Sequence, residues 1–158
     1  MASCAILLLI AGGTGLVVNA LRPASSRLPW ANDWSRHIEA KAFQAGIPVT
    51  FLMGVRESLL DEDIVVLDAR PYEKFMEGHL PGAWSLPIGE VGERIGDYVH
   101  LLAAETPLLL YCDGADCSDS LELAIELRGY GFSDVTLYPG GYEEWQAYGG
   151  DIVSGGMP

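Results

Sequence analysis

The chain is short of positive charge, and that shortage excludes more than any motif does. It has nine Lys and Arg against 22 Asp and Glu, for a net charge of −13. Residues 1–41 hold four of the cations and two of the acids, so residues 42–158 carry five cations against twenty acids. So acidic a globular part argues against nucleic acid as a partner. Its overall field also disfavours small anionic substrates. Cysteine is scarce too: Cys4, Cys112 and Cys117 are too few for a disulfide scaffold. No second Cys/His pair lies near Cys112 and Cys117, so a zinc site is not expected and no metal is assigned. With 158 residues there is room for one domain of about 110 residues and an amino-terminal extension.

Charge is wholly missing from residues 4–21. Eighteen helical residues extend about 27 Å, close to the hydrocarbon thickness of a bilayer. The run predicts a single transmembrane helix after a short tail, residues 1–3. A cleaved signal peptide is the alternative, because Val18-Asn19-Ala20 resembles a small-residue cleavage site. Met1-Ala2-Ser3 lack the basic residues of such a leader, which favours a retained anchor. Arg22, Arg27, Arg36 and Lys41 follow the run and place the soluble domain on the cytoplasmic side of a cell (inner) membrane. Ala11 and Gly15 give the small-residue spacing that lets transmembrane helices approach closely. The expected partners are therefore the lipid bilayer and transmembrane subunits of a larger complex. Residues 22–46 read as a linker and an amphipathic helix. That helix is capped at Asn32 or Asp33 and has Trp34, Ile38 and the Ala42/Phe43 pair on one face. Residues 151–158 are left as a carboxyl-terminal tail.

Between these ends, strand-like and helix-like stretches alternate. Strands are expected at 64–67, 83–86, 108–111 and 135–137, and helices at 71–76, 91–102, 118–127 and 142–148. Such alternation predicts an α/β fold with an open, mostly parallel sheet flanked by helices. Reactive groups in these sheets gather at the carboxyl ends of the strands. Cys112 falls there, between the apolar run Leu108–Tyr111 and a helix. A sulfur over the amino end of a helix meets unpaired backbone N–H groups and a positive dipole end, and both favour the thiolate.

Three stretches in order resemble the rhodanese family of single-domain sulfurtransferases over residues 47–150. The first is Val65-Val66-Leu67-Asp68-Ala69-Arg70, continued by Glu77-Gly78-His79-Leu80-Pro81-Gly82-Ala83. The second is the strand with Cys112 and its loop, and the third is Gly140-Gly141-Tyr142-Glu143-Glu144-Trp145. The resemblance implies a rhodanese-like fold with Cys112 as nucleophile. A sulfur donor would leave a Cys112 persulfide, and a thiol acceptor, small molecule or protein, would take the sulfur; no cofactor is implied. The loop Asp113, Gly114, Ala115, Asp116, Cys117 and Ser118 would bind substrate through its N–H groups. Asp68, Arg70, Glu77 and His79 would support it, with Arg70 pairing to Glu77 and His79 fixing a loop. The membrane-anchored sulfurtransferase is set against a catalytically weak accessory or docking subunit of a membrane complex.

Four features of the loop bear on chemistry, the first two of them departures from the family pattern. The loop is about two residues longer than in the small single-domain enzymes. It has no Lys or Arg but carries Asp113 and Asp116, with Asp119 just beyond. One carboxylate about 6 Å from a thiolate amounts to roughly 2–3 kcal/mol at an effective dielectric of ~20, before ionic screening. The acidic loop therefore predicts poor use of thiosulfate. Cys117 could act as a resolving thiol toward a modified Cys112. Position 118 is Ser, where cysteine phosphatases need an arginine to clamp phosphate, so phosphoryl transfer is not expected.

Overall fold

The computed structural model describes residues 13–15, 17–21 and 37–156. The chain divides into two compact units, residues 1–33 and 34–158. In the first, the described residues 13–15 and 17–21 are helical. The rest of the expected membrane segment, residues 4–12 and 16, lies outside the described residues, as do Cys4 and the cap at Asn32 or Asp33. Among the described residues, no helix is long and apolar enough to cross a membrane.

The second unit is built on four parallel strands, β1 Val65–Asp68, β2 Trp84–Ser85, β3 Leu108–Tyr111 and β4 Val135–Tyr138. They stand in the order β2-β1-β3-β4. Val49 adds one parallel bridge to Leu137. Six helices surround them: α1 Ile38–Gln44, α2 Leu52–Ser58, α3 Tyr72–Glu77, α4 Val91–Leu101, α5 Asp119–Gly129 and α6 Gly141–Ala147. This is the expected α/β architecture, with the strands and helices expected between residues 64 and 148 within about two residues of their predicted bounds; α1 instead begins at Ile38 with His37 as its N-cap, not at Asn32 or Asp33.

All four residues of β3 are buried, as a strand covered on both faces requires. Its period-two alternation divides the core. Leu108, Leu110 and then Cys112 pack with Ile38, Ile95 and Leu123 of α1, α4 and α5. Leu109 and Tyr111 pack with Val55, Phe75 and Trp145 of α2, α3 and α6. Cys112 thus continues an apolar row, and its side chain is committed to the α5 face before the loop begins.

Three local expectations need correction. Ile38 and Ala42 are buried on α1, but Phe43 is 84% exposed, because one residue along a helix turns the side chain about 100° away. Helix α2 was not anticipated: its seven residues include a glycine, and Met53 is exposed, so no apolar stripe marks it. The segment from 151 is not a loose tail. Val153 exchanges backbone hydrogen bonds with His79 at 2.8 and 3.0 Å, and the Gly155 N–H donates to the Met76 carbonyl at 3.0 Å.

Leu110 stands two residues before Cys112 on the same fully buried row. Leu110→Ala is expected to cost about 2–5 kcal/mol in urea unfolding. A loss below ~1 kcal/mol would mean that this row is not packed as described.

Candidate active site

Cys112 is the first residue beyond β3, and the chain from there to Ser118 passes between α6 and α5. The start of α6 holds the loop by its backbone. The Tyr142 N–H donates to the Cys112 carbonyl at 2.8 Å, and the Glu143 N–H donates to the Asp113 carbonyl at 2.7 Å. Such close backbone approach needs Gly141, which has φ +60° and whose added Cβ would stand 2.5 Å from the Cys112 carbonyl oxygen. Within the loop, the Cys117 N–H closes a turn onto the Gly114 carbonyl at 3.0 Å.

Two thiols share this loop, and they are not equivalent. Cys112 is 1% exposed, whereas Cys117 is half-buried. The Ser120 hydroxyl donates to Cys112 Sγ at 3.2 Å, and the Ser120 backbone N–H supports the same sulfur. The Cys112 S–H in turn faces the carbonyl oxygens of Cys117 at 3.3 Å and Gly114 at 3.9 Å. The neighbouring Cys117 thiol and burial raise the Cys112 pKa, outweighing Ser120. The Cys117 thiol is lowered to about 7, first by the Cys112 thiol and then, against burial, by the N–H groups of Asp113 and Asp119. The helix-end donors expected at Cys112 are therefore present in Ser120, but burial and the second thiol oppose the thiolate there.

The supporting residues form a second cluster on the opposite face of the sheet. Asp68 accepts from Tyr111 Oη at 2.6 Å and from Arg70 Nη2 at 2.6 Å and Nε at 2.9 Å. Arg70 Nη2 also donates to the Gly78 carbonyl at 2.6 Å. The expected partner of Arg70 was Glu77; the structure gives it Asp68, two residues away on the strand end, while Glu77 is exposed. Burial opposes the Arg70 charge, but Asp68 more than compensates and its pKa is raised. Tyr142 lies over the Arg70 guanidinium at 4.1 Å from ring centre. His79 is fully enclosed, bonded through Nδ1 to the Phe75 carbonyl at 2.9 Å and stacked on the Phe75 ring, so it fixes the turn.

Charge at the loop also differs from expectation. Lys74 Nζ pairs with Asp113 Oδ2 at 2.6 Å, and Arg70 Nη1 stands 3.9 Å from Asp113 Oδ1. The carboxylate nearest Cys112 in sequence is thus offset by cations from α3 and the β1 end, leaving Asp116 and Asp119 as the acidic residues of the loop edge. The Lys74 pair is half-exposed and contributes about 0–1 kcal/mol. Ser118 donates its hydroxyl to Glu122 at 2.8 Å instead of facing the sulfurs. Ala115 and Asp116 are exposed at the loop tip. Sequence reasoning missed Lys74 and Ser120. Lys74 leaves no sequence signal; Ser120, buried in the first turn of α5, could have been found as the polar residue on its inward face. Among the described residues, no group of three His, Cys, Asp or Glu is placed to hold a metal ion.

Comparison with known proteins gives the same pattern. The family model for the Rhodanese-like domain matches residues 55–148. The chain is 31% identical over 100 residues to the thiosulfate sulfurtransferase GlpE of Pseudomonas savastanoi pv. phaseolicola, covering 63% of this chain and 89% of that one. It is 29% identical over 93 residues to the HTH-type transcriptional regulator Rv0324 of Mycobacterium tuberculosis, covering 59% of this chain but only 39% of the regulator. Among solved structures, the BH2092 protein of Bacillus halodurans superposes with a TM-score of 0.63 at 25% identity, over 73% of this chain and 83% of that one. A thiosulfate sulfurtransferase of Pseudomonas aeruginosa superposes with a TM-score of 0.58 at 29% identity, over 69% of this chain and 20% of its own.

Because Gly141 sits against the Cys112 carbonyl at positive φ, Gly141→Ala is expected to cost about 1–3 kcal/mol. It should also displace the loop and lower sulfur transfer. Thermal unfolding and a transfer assay together check this; a variant with unchanged melting and activity would show that the α6 contact does not position the loop.

Proposed function

The chain belongs to the rhodanese-like domain family, and on that premise we propose that it is a rhodanese-type sulfurtransferase. In this reading Cys112 carries sulfane sulfur as a persulfide and passes it to a thiol acceptor. One observation supports this most: the Ser120 hydroxyl and N–H converge on Cys112 Sγ at the carboxyl end of β3. Those donors favour negative charge on the carrier sulfur when it attacks and when it leaves. In the net reaction a donor R–S–SH and a cysteine thiol give Cys–S–SH and R–SH. An acceptor thiol then attacks the outer sulfur and the cysteine leaves with the electron pair. No metal or organic cofactor is needed for either step.

Thiosulfate is the donor in the names of the Pseudomonas relatives. For this chain we favour a neutral or thiol-bound sulfane sulfur. Asp116 and Asp119 remain at the loop edge, and the surrounding domain is acidic throughout. Against this stands the pairing of Asp113 with Lys74, which removes one of the three carboxylates counted against thiosulfate.

A tether at residues 4–21 completes the reading. Its support is the uncharged 18-residue run followed by Arg22 and Arg27. It would hold the domain at the cytoplasmic face of a membrane, where a transmembrane partner could be either donor or acceptor.

Two measurements bear on these points. Transfer from thiosulfate or glutathione persulfide to a thiol should fall by at least ~100-fold in Cys112→Ser, as for loss of a covalent nucleophile; undiminished turnover removes Cys112 from the chemistry. For the tether, full-length protein should sediment with membranes, resist alkaline carbonate and be released by detergent. Recovery in the soluble fraction argues against an anchor.

A further inference from the structure

The two sulfurs differ most in access from solvent. Cys112 is sealed at 1% exposure, under the loop and against the α5 face of the core. Cys117 is half-exposed and lines a shallow surface depression with Lys41, Ala115, Asp116 and Ser118. A donor arriving from outside meets Cys117 first. Its own carbonyl stands 3.3 Å from Cys112 Sγ, which puts the two cysteines in one turn, and the N–H groups of Asp113 and Asp119 and the Cys112 thiol favour its ionised form. These groups would support a nucleophile there, and they would support the same sulfur as a leaving group.

We infer that Cys117 receives the sulfane sulfur and hands it inward to Cys112, so that the loop works as a two-thiol relay. The inference rests on the sulfurtransferase reading above and assigns Cys117 a catalytic part in it. In the first step the Cys117 thiolate attacks the outer sulfur of a donor persulfide. A bond forms between Cys117 Sγ and that sulfur, the S–S bond of the donor breaks, and the donor leaves as a thiolate. In the second step Cys112 Sγ attacks the outer sulfur of Cys117–S–SH. The new S–S bond forms on Cys112, the bond to Cys117 breaks, and the Cys112 proton passes to Cys117. Cys112–S–SH and Cys117–SH result, with no outside oxidant or reductant.

Direction follows from the same contacts. When the Cys117 sulfur departs as leaving group it takes the Cys112 proton, and the Ser120 hydroxyl at 3.2 Å remains with Cys112. The transferred sulfur stands about 2 Å beyond Cys112 Sγ, on the side that Cys117 occupies, which brings it nearer the surface than the bare thiol. Attack on the inner sulfur of Cys117 would instead form a Cys112–Cys117 disulfide and release hydrogen sulfide, a different outcome that the test separates.

The test uses the full chain with glutathione persulfide, rapid quenching by an alkylating agent and fragmentation mass spectrometry of the loop peptide. In the unchanged protein, the added 32 Da should appear on Cys117 first and on Cys112 later. Cys112→Ser should hold the adduct on Cys117, and Cys117→Ser should load Cys112 at least tenfold more slowly. Because position 117 is half-exposed, Cys117→Ser carries the test even where Cys112→Ser folds poorly. Loading of Cys112 at the unchanged rate in Cys117→Ser overturns the relay and leaves the sulfurtransferase reading standing. A loss of 2 Da with an equivalent of sulfide overturns the inward transfer, and no adduct on any variant overturns both readings.

Discussion

Two thiols set in one turn of loop, one sealed and one half-buried, govern this site. Their effects are opposite: the neighbouring Cys117 thiol and burial raise the Cys112 pKa, while the Cys112 thiol leads in lowering Cys117 to about 7. Were the two thiols apart, burial would still penalise a thiolate at Cys112, and Cys117 would lose the largest influence on its acidity. Every other feature of the loop serves to hold these atoms in register. The α6 N–H groups fix the carbonyls of Cys112 and Asp113, and the Gly114–Cys117 turn folds the outer cysteine back over the inner one.

The scaffold beneath is a consequence of strand alternation. On β3 the row Leu108, Leu110, Cys112 points one way and Leu109, Tyr111 the other. The sulfur therefore lies on the α5 side, and the Asp68–Arg70–Tyr111 cluster lies on the α3–α6 side. The two halves of the site meet through the loop backbone and through Asp113, which reaches Lys74 and Arg70. Buried Arg70 is fully engaged by Asp68 and Gly78, so its part is to hold the β1 end and the following turn. His79 does the same for the segment paired with Val153.

Much of this was legible in the sequence because it follows from local patterns. The continuous apolar runs marked the strands, and Cys112 stands at the strand–helix junction where the sequence placed it. What was not legible depends on contacts in three dimensions that spacing along the chain does not set. Lys74 lies 39 residues before Asp113, and nothing in either neighbourhood announces the pair. Arg70 was expected to pair with Glu77 on the family resemblance, yet the strand end offered a nearer and fully buried carboxylate. The inequality of the thiols was invisible for a similar reason. Helix-end donors could be foreseen, but the different acidities of the two cysteines follow from burial and from the contact between them.

The most direct test of this account is a carbon-13 NMR titration of the cysteine Cβ resonances in the full chain, without any sulfur donor. The account predicts that the Cys117 resonance moves with a midpoint near pH 7. The Cys112 resonance should stay in the thiol range until well above the value of an ordinary cysteine, ~8.5. A Cys112 resonance that titrates first, or two thiols that titrate together near that ordinary value, would contradict it.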